Sequence, residues 1–189
     1  MSDNHPKVVK KPFVALRPVP VVLVSCGHGE QANIITIAWT GILCSNPPQI
    51  GIGVRPDRHS HGLIQQTGEF VINIPGERLL GEMEYCGFVS GRDADKFAAS
   101  GLTPVPGSEI QTPIIAECPI NLECRLAHTL PLGSHDLFVG EVVAVQISED
   151  LLDERGRVDN GKLKPILFTG DAYWGLGDLL GRWGSTRKG

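Results

Sequence analysis

The sequence predicts a mainly β protein, an antiparallel β-barrel with short peripheral α-helices. Many short runs of apolar and small residues alternate along the chain, as they do in strands. Glycine and proline, at 23 and 14 of 189 residues, punctuate these runs. Two or three short stretches space their apolar residues as helices do. Barrels built from many short antiparallel strands fit this pattern best.

The first half of the chain predicts four strands and one helix. The strands fall in the segments 19–26, 34–39, 49–54 and 69–74. A turn is predicted at 27–33, and a loop at 45–48, where two prolines exclude regular pairing. Residues 60–68 predict a helix with Ser60 as its N-cap and Gly68 at its end.

The second half predicts two more helical segments and the rest of the sheet. Helical spacing returns at 77–87 and at 93–101, and Gly101 closes the second segment. Strands follow at 119–126, 137–147, 164–170 and 172–177. Gly140, inside the second of these strands, predicts a bulge or the close approach of another group. The polar segment 149–162 predicts a surface hairpin or loop.

One domain is predicted, flanked by a polar N-terminal arm at 1–11 and a C-terminal tail at 179–189. The arm has no apolar core of a signal peptide, and no segment approaches the roughly 20 apolar residues of a membrane helix. We therefore expect a cytoplasmic protein without a membrane partner. The net charge of −4 argues against a general nucleic-acid-binding protein, which is usually basic.

The cysteines and histidines predict no metal site. Five cysteines without a CxxC pair indicate packing thiols in a reducing compartment. His59 and His61 stand two residues apart, and Asp57 is the only other ligand type near them. Three such residues in one turn are a poor match to zinc-ligand spacing.

A cationic cluster lies just ahead of the helix predicted at 60–68. Arg55 and Arg58 can give charge-assisted hydrogen bonds to an anion. Ser60 and the amides after it offer the positive end of a helix. The pattern is typical of a phosphate site, but an ordinary solvated turn would also fit, with the arginines paired to Asp57 or Glu69.

Five segments in the same order resemble the flavin reductase-like family. They are NIITIAW (33–39), SNPP (45–48), VRPDRHSHGLIQQTGEFVINIP (54–75), SGRDADKF (90–97) and HDLFVGEV (135–142). The resemblance spans residues 12–178 and implies an FMN-binding split β-barrel, as in flavoredoxins and ferric-reductase-like proteins. It also implies a homodimer with the flavin at or near the subunit interface.

The resemblance implies an oxidoreductase that holds FMN without a covalent bond. NADH or NADPH would deliver the electrons, and free flavin, a ferric chelate or a partner protein would accept them. Two other functions stay open. A flavoredoxin-type carrier would hold FMN without a productive NAD(P)H site, and a haem-binding protein would use a related split barrel.

The resemblance also implies roles for individual residues. Those expected at the flavin phosphate are Asn33, Thr36, Arg55, Arg58, Ser60 and His61. The backbone at Thr36, Ile37, Ala38 and Trp39 is expected beside the isoalloxazine ring. Ser45 and Asn46 are expected as polar contacts under that ring.

Two further residues are expected to act on the chemistry. Lys96 is expected to approach the cofactor and stabilise its anionic reduced form, or to pair with the preceding acid. His135, at the flavin edge or the nicotinamide side, is given the catalytic role. Taken alone, Lys96 is equally an exposed helix lysine, His135 a structural residue, and Trp39 a core tryptophan.

Overall fold

The body of the molecule is a seven-stranded antiparallel sheet that curls into a half-barrel. The computed structural model describes residues 5–184. Within them the strands are β1 (Val19–Pro20), β2 (Val22–Cys26), β3 (Asn33–Ile37), β4 (Thr40–Ser45), β5 (Pro48–Val54), β6 (Glu69–Ile74), β7 (Pro104–Val105), β8 (Ile114–Ile115), β9 (Ile120–Pro131), β10 (Asp136–Ile147), β11 (Leu167–Phe168) and β12 (Tyr173–Trp174). The large sheet has the order β3-β2-β6-β9-β10-β5-β4, which leaves β3 and β4 at its edges.

The helices are short and lie around this sheet. They are α1 (His59–Thr67), α2 (Leu80–Phe88), α3 (Lys96–Ser100) and α4 (Asn160–Leu163), with 3₁₀ turns at Gly29–Gln31, Glu77–Leu79 and Glu149–Leu151. The predicted fold class, a mainly β antiparallel split barrel with short peripheral helices, is confirmed. Nowhere in residues 5–184 is a helix long and apolar enough to cross a membrane. Of the predicted arm and tail, residues 1–4 and 185–189 lie outside the described residues.

A second, three-stranded sheet has the order β1-β11-β12 and was not expected. The predicted strand at 19–26 is interrupted, because Val21 leaves the ladder and its backbone N–H donates to the Ile166 carbonyl at 3.1 Å. β11 therefore pairs with β1 and β12 pairs with β11, so the predicted C-terminal strands do not complete the large sheet. This small sheet places Phe168 and Tyr173 beside the first half of the barrel.

The segment predicted as a loop at 45–48 is the tight turn of a β-hairpin. β4, which precedes the turn, was not predicted. It is an edge strand with a bulge between Ile42 and Cys44 and mostly exposed side chains, so it lacks the regular alternation of a half-buried strand.

The start of α1 differs from its prediction. The N-cap residue is Arg58, in extended conformation, and no side chain caps the helix there. Ser60 is the second helical residue and is 1% exposed, so the prediction that it caps the helix is wrong. Gly68 ends the helix as predicted, in the left-handed region at φ 67°.

Gly140 shows both features that its place in a strand predicted. The register between β9 and β10 shifts between Val139 and Gly140, which marks a bulge. A Cβ atom at Gly140 would lie 2.4 Å from Phe70 Cζ. The close approach therefore comes from a fully buried core ring and leaves no room for a ligand at this point.

The polar face of β9 is buried at Asn121 and Glu123 and exposed at Arg125. The segment 104–115 covers the buried part, and Glu123 on this face is 0% exposed. The Glu123 carboxylate accepts hydrogen bonds from Ser108 N–H at 2.8 Å, Ser108 Oγ at 2.7 Å, Glu109 N–H at 2.8 Å, Ile110 N–H at 3.2 Å and Gln146 Nε2 at 2.8 Å. One buried carboxylate thus fastens the covering segment to the sheet.

Candidate functional site

An apolar cavity of about 260 Å³ opens between β3, the C-terminal end of α2 and the small sheet. Backbone and apolar or aromatic side chains form most of its wall. The lining residues are Val21, Ile35, Thr36, Ile37, Ala38, Trp39, Gly53, Val54, Arg55, Arg58, Glu84, Gly87, Phe88, His135, Phe168 and Tyr173. Its mostly apolar and aromatic lining suits a largely apolar ring system.

A smaller, cationic pocket of about 50 Å³ adjoins the apolar cavity. The two share Ile35, Arg58 and Gly87 in their walls. The remaining lining residues of the cationic pocket are Asn33, Asp57, His59, Ser60, Val89, Ser90, Gly91, Arg92 and Lys96. The two spaces form one site with an apolar end and a positively charged end.

The cationic pocket lies at the N-terminus of α1. No side chain caps this helix, and the His61 N–H donates to the Arg58 carbonyl at 3.1 Å. The amides of His59 and Ser60 are therefore the ones left for an anion, and the helix dipole favours negative charge there. Arg92 reaches the same turn, where its Nη1 donates to the Asp57 carbonyl at 3.0 Å. Burial, with Arg92 and Lys96 nearby, lowers the pKa of His59. This end of the site is therefore built to receive an anion.

The solvated-turn alternative for the two arginines is present only in a weak form. Arg55 Nε and Arg58 Nε lie 3.6 Å and 3.9 Å from Asp57 Oδ1, and all three side chains are more than half exposed. Exposed pairs at such distances contribute little to stability. Glu69, the other acid considered, pairs with His28 Nε2 at 3.0 Å. Both arginines therefore remain able to turn toward an anion.

Asn33 and Ser60 form a buried polar pair under the cationic pocket. Asn33 Nδ2 donates to Ser60 Oγ at 2.8 Å, which accounts for an amide at the start of an otherwise apolar strand. A Cβ atom at Gly91 would lie 2.2 Å from Asn33 Oδ1, so the 90–92 turn packs directly on this pair. The two side chains hold β3, α1 and that turn together at one point.

Lys96 is buried, at 3% exposure, and lies at the cationic end of the site. Its Nζ donates to the carbonyls of Ile34 and Cys86, each at 2.8 Å. The pKa of Lys96 is lowered, mainly by its burial and also by the nearby charge of Arg58. Cys86 and Cys26 act in the opposite direction and raise it. The exposed-lysine alternative is wrong, and Lys96 does not pair with the preceding acid, because Asp95 caps α3 by accepting from Ala98 N–H.

The residues expected beside a ring do line the apolar cavity. Thr36, Ile37, Ala38 and Trp39 follow the edge strand β3 and its extension along one wall. The Thr36 hydroxyl donates to the Met83 carbonyl of α2, so its backbone, rather than its side chain, is left for the cavity. A Cβ atom at Gly87 would lie 3.3 Å from Thr36 Cβ, which shows how closely α2 approaches this wall.

Trp39 and His135 meet at the outer rim of the apolar cavity. Their rings are parallel within 2° with centroids 5.9 Å apart. Trp39 is 49% exposed, so the core-tryptophan alternative is wrong. His135 Nδ1 lies 2.9 Å from Ser134 Oγ, and its stacked position leaves it at the cavity entrance.

Three predicted site residues are not brought to the site within one chain. Ser45 and Asn46 occupy the β4–β5 turn, about 17 Å along the hairpin from its Trp39 end. His61 lines neither space, because its ring points into the core, with Nε2 2.8 Å from Asp136 Oδ2 and the ring against Phe138. A direct cofactor contact by His61 is therefore not supported by its position.

Several lining residues were missed by the sequence analysis. Arg92 belongs to the segment SGRDADKF (90–97), and its positive charge beside Gly91 could have indicated an anion contact. Phe168 and Tyr173 lie in β11 and β12. No local sequence pattern predicts that β11 pairs with β1. Glu84 reaches the cavity from α2, an ordinary amphipathic helix. Among residues 5–184, no three His, Cys, Asp or Glu side chains are grouped to hold a metal ion.

Comparison with known proteins supplies independent findings. A family model described as a flavin reductase like domain matches residues 15–176. The solved flavoredoxin of Desulfovibrio vulgaris (Miyazaki F) is 32% identical, with a TM-score of 0.88 over 96% of this chain and 99% of that one. An FMN-binding protein from Thermus thermophilus is 28% identical, with a TM-score of 0.77 over 93% and 96%. An NADPH-flavin oxidoreductase from Streptomyces viridifaciens is 29% identical over 81% of this chain and 77% of its own.

Proposed function

Since the chain belongs to the flavin reductase-like family, we propose that it binds FMN without a covalent bond and passes electrons from NADH or NADPH to an acceptor. The observation that carries this proposal is the continuity of the two spaces. An apolar cavity lined by a strand edge and aromatic rings runs into a cationic pocket at an uncapped helix N-terminus. FMN has the same two parts, a flat ring system and a terminal phosphate.

The residues present fit the phosphate of FMN. A phosphate monoester carries close to two negative charges and three strong acceptor oxygens. Arg58 and Arg92 supply cationic donors, and the amides at the start of α1 supply neutral ones. Lys96 adds positive charge from below, held between two carbonyls. The pocket is small and is bounded by the 90–92 turn, so its size suits a single terminal phosphate.

The chain's own residues orient the ring and control access to it. The backbone of 36–39 offers edge amides and carbonyls to the polar rim of a flavin ring, and Phe168 and Tyr173 cover its apolar part. Trp39 and His135 stand at the entrance, where a nicotinamide or an acceptor would arrive. When bound, FMN supplies the hydride and electron chemistry, while the protein supplies position and electrostatics.

A nicotinamide donor is the enzymatic part of the proposal. The similarity to an NADPH-flavin oxidoreductase supports it. The similarity to flavoredoxins supports a second candidate, an electron carrier that holds FMN and is reduced by another protein. The flavin reductase-like family match favours both over the haem-binding alternative.

A homodimer and a cytoplasmic location belong to the same proposal. Large apolar side chains are exposed around the cavity entrance and the β4 edge, including Ile42 at 82%, Phe88 at 81% and Trp174 at 61%. Exposed apolar area of this extent commonly marks a protein interface. We propose that a second copy of the chain covers these side chains. The five free cysteines support a reducing compartment.

We expect bound FMN to lose its absorbance near 450 nm when NADH or NADPH is added without oxygen. In the His135→Ala variant this reduction should slow by about tenfold or more, with FMN affinity within a few fold of the original. A side chain at the entrance orients the incoming donor and does not hold the phosphate. Stopped-flow reduction and an FMN titration of the same preparation measure the two effects.

His128→Ala is the matched control, because His128 is an exposed histidine of β9 outside both spaces. It should change neither quantity. If neither NADH nor NADPH reduces the bound FMN, the protein is an electron carrier and not an NAD(P)H-dependent enzyme. Complete loss of FMN from His135→Ala would place this residue against the cofactor and end its donor-side role.

A further inference from the structure

A buried histidine–aspartate pair lies behind the proposed FMN site and touches neither of its two spaces. His61 Nε2 lies 2.8 Å from Asp136 Oδ2, and the two side chains are 8% and 15% exposed. The His61 ring also packs on Phe138, with centroids 4.9 Å apart and planes tilted by 52°. Phe138 is fully buried, so the histidine is held from two sides by a rigid part of the core.

The two residues lie in chain segments that reach different ends of the proposed site. His61 is in the first turn of α1, and its backbone N–H donates to the Arg58 carbonyl at 3.1 Å. Asp136 is the first residue of β10 and follows His135 directly. It also stands opposite Val54, the last residue of β5, from which the chain enters the turn carrying Arg55 and Arg58.

We infer that His61 and Asp136 are positioning residues that fix the phosphate-binding turn of α1 against the start of β10. The inference rests on the proposed FMN function and adds to it the groups that hold the site's geometry. Within the described residues, this is the only side-chain hydrogen bond between that turn and β10, and the packing of His61 on Phe138 depends on the same ring. The exposed pairs of Asp57 with Arg55 and Arg58 join residues within the turn and do not reach β10.

The consequence is specific to the phosphate. A helix start that shifts by about 1 Å no longer points its donors at a phosphate, whereas the walls of the apolar cavity formed by β3, α2 and the small sheet stay in place. Riboflavin, which has the same ring and no phosphate, therefore separates a positioning role from a general loss of structure. A merely structural residue would weaken both ligands alike.

The experiment compares His61→Leu, which removes the hydrogen bond at similar volume, with His61→Gln, whose amide can donate from nearly the same place. We expect His61→Leu to weaken FMN binding about tenfold or more and to change riboflavin binding by less than about threefold. His61→Gln should restore most of the FMN affinity. His28→Leu is the matched control, since it breaks another histidine–carboxylate pair, at 3.0 Å from Glu69 and away from both spaces.

Amide hydrogen exchange gives a readout that does not depend on flavin. His61→Leu should speed exchange at the His61 amide and in the 132–136 turn, whereas His28→Leu should not. Equal weakening of FMN and riboflavin, or unchanged exchange in these segments, would overturn the inference. If the unaltered protein binds neither flavin, the proposed function fails, and hydrogen exchange still decides whether the pair holds the turn.

Discussion

Replacing Arg58 by alanine is expected to weaken FMN binding by roughly 10- to 150-fold, which corresponds to about 1.5–3 kcal/mol for a lost charge-assisted hydrogen bond. Arg58 is the arginine that lines both the apolar cavity and the cationic pocket together with Gly87 and Ile35. Its side chain is more than half exposed, and its Nε lies 3.9 Å from Asp57 Oδ1, which is too far for a strong pair. Arg58 is therefore free to reach a phosphate. Isothermal titration of the purified protein with FMN measures the change.

Arg125→Ala is the matched control for this substitution. Arg125 is exposed on β9 and donates from Nη2 to the Glu109 carbonyl at 2.8 Å, outside both spaces. Its removal should leave the FMN dissociation constant within about twofold. Equal dissociation constants for the two variants would mean that the phosphate does not bind at the α1 turn.

Replacing Glu123 by glutamine is expected to destabilise the fold by about 3 kcal/mol at neutral pH. Burial raises the pKa of this carboxyl, but hydrogen bonds from the Ser108 and Glu109 backbones and from the Gln146 and Ser108 side chains outweigh it and lower the pKa from 4.5 to about 2. A difference of that size between folded and unfolded states corresponds to about 3 kcal/mol. Glutamine would also direct an NH₂ group at backbone donors.

The pH dependence has a definite sign. Because the pKa is lower in the folded state, the stabilisation by Glu123 is complete above pH 4.5 and is lost as the pH falls toward 2. Urea unfolding at neutral pH and near pH 3 should therefore show a smaller gap between Glu123→Gln and the original protein at the lower pH. Glu141→Gln, an exposed carboxyl on β10, should change stability by less than about 0.5 kcal/mol. If the difference in unfolding free energy is the same at both pH values, the charge of Glu123 does not stabilise the fold.

The barrel could be predicted because its strands carry regular local signals. β6 matches its predicted bounds, and Gly68 and Gly101 end α1 and α3 in the left-handed conformation expected of them. β4 and the small sheet escaped prediction for a physical reason. β4 is an exposed, bulged edge, and β11 and β12 are two-residue strands that form by pairing with β1 and with each other.

The site was predictable where charge and motif order coincide, and not where tertiary contacts decide. Arg58, Ser60, Lys96 and Trp39 do converge on the two spaces. The direction of the His61 side chain depends on Asp136, 75 residues away in sequence, which no local pattern reveals. The burial of Glu123 could not be predicted either, because the segment that covers it has little regular structure of its own.

On the proposed FMN function, the cationic pocket at α1 binds the terminal phosphate of a flavin. The most direct test is titration of the same preparation with FMN, riboflavin and FAD. FMN should bind most tightly, with riboflavin weaker by about 100-fold or more, because it lacks the group that Arg58, Arg92 and the α1 amides receive. Equal affinity for FMN and riboflavin, or a clear preference for FAD, would contradict the claim.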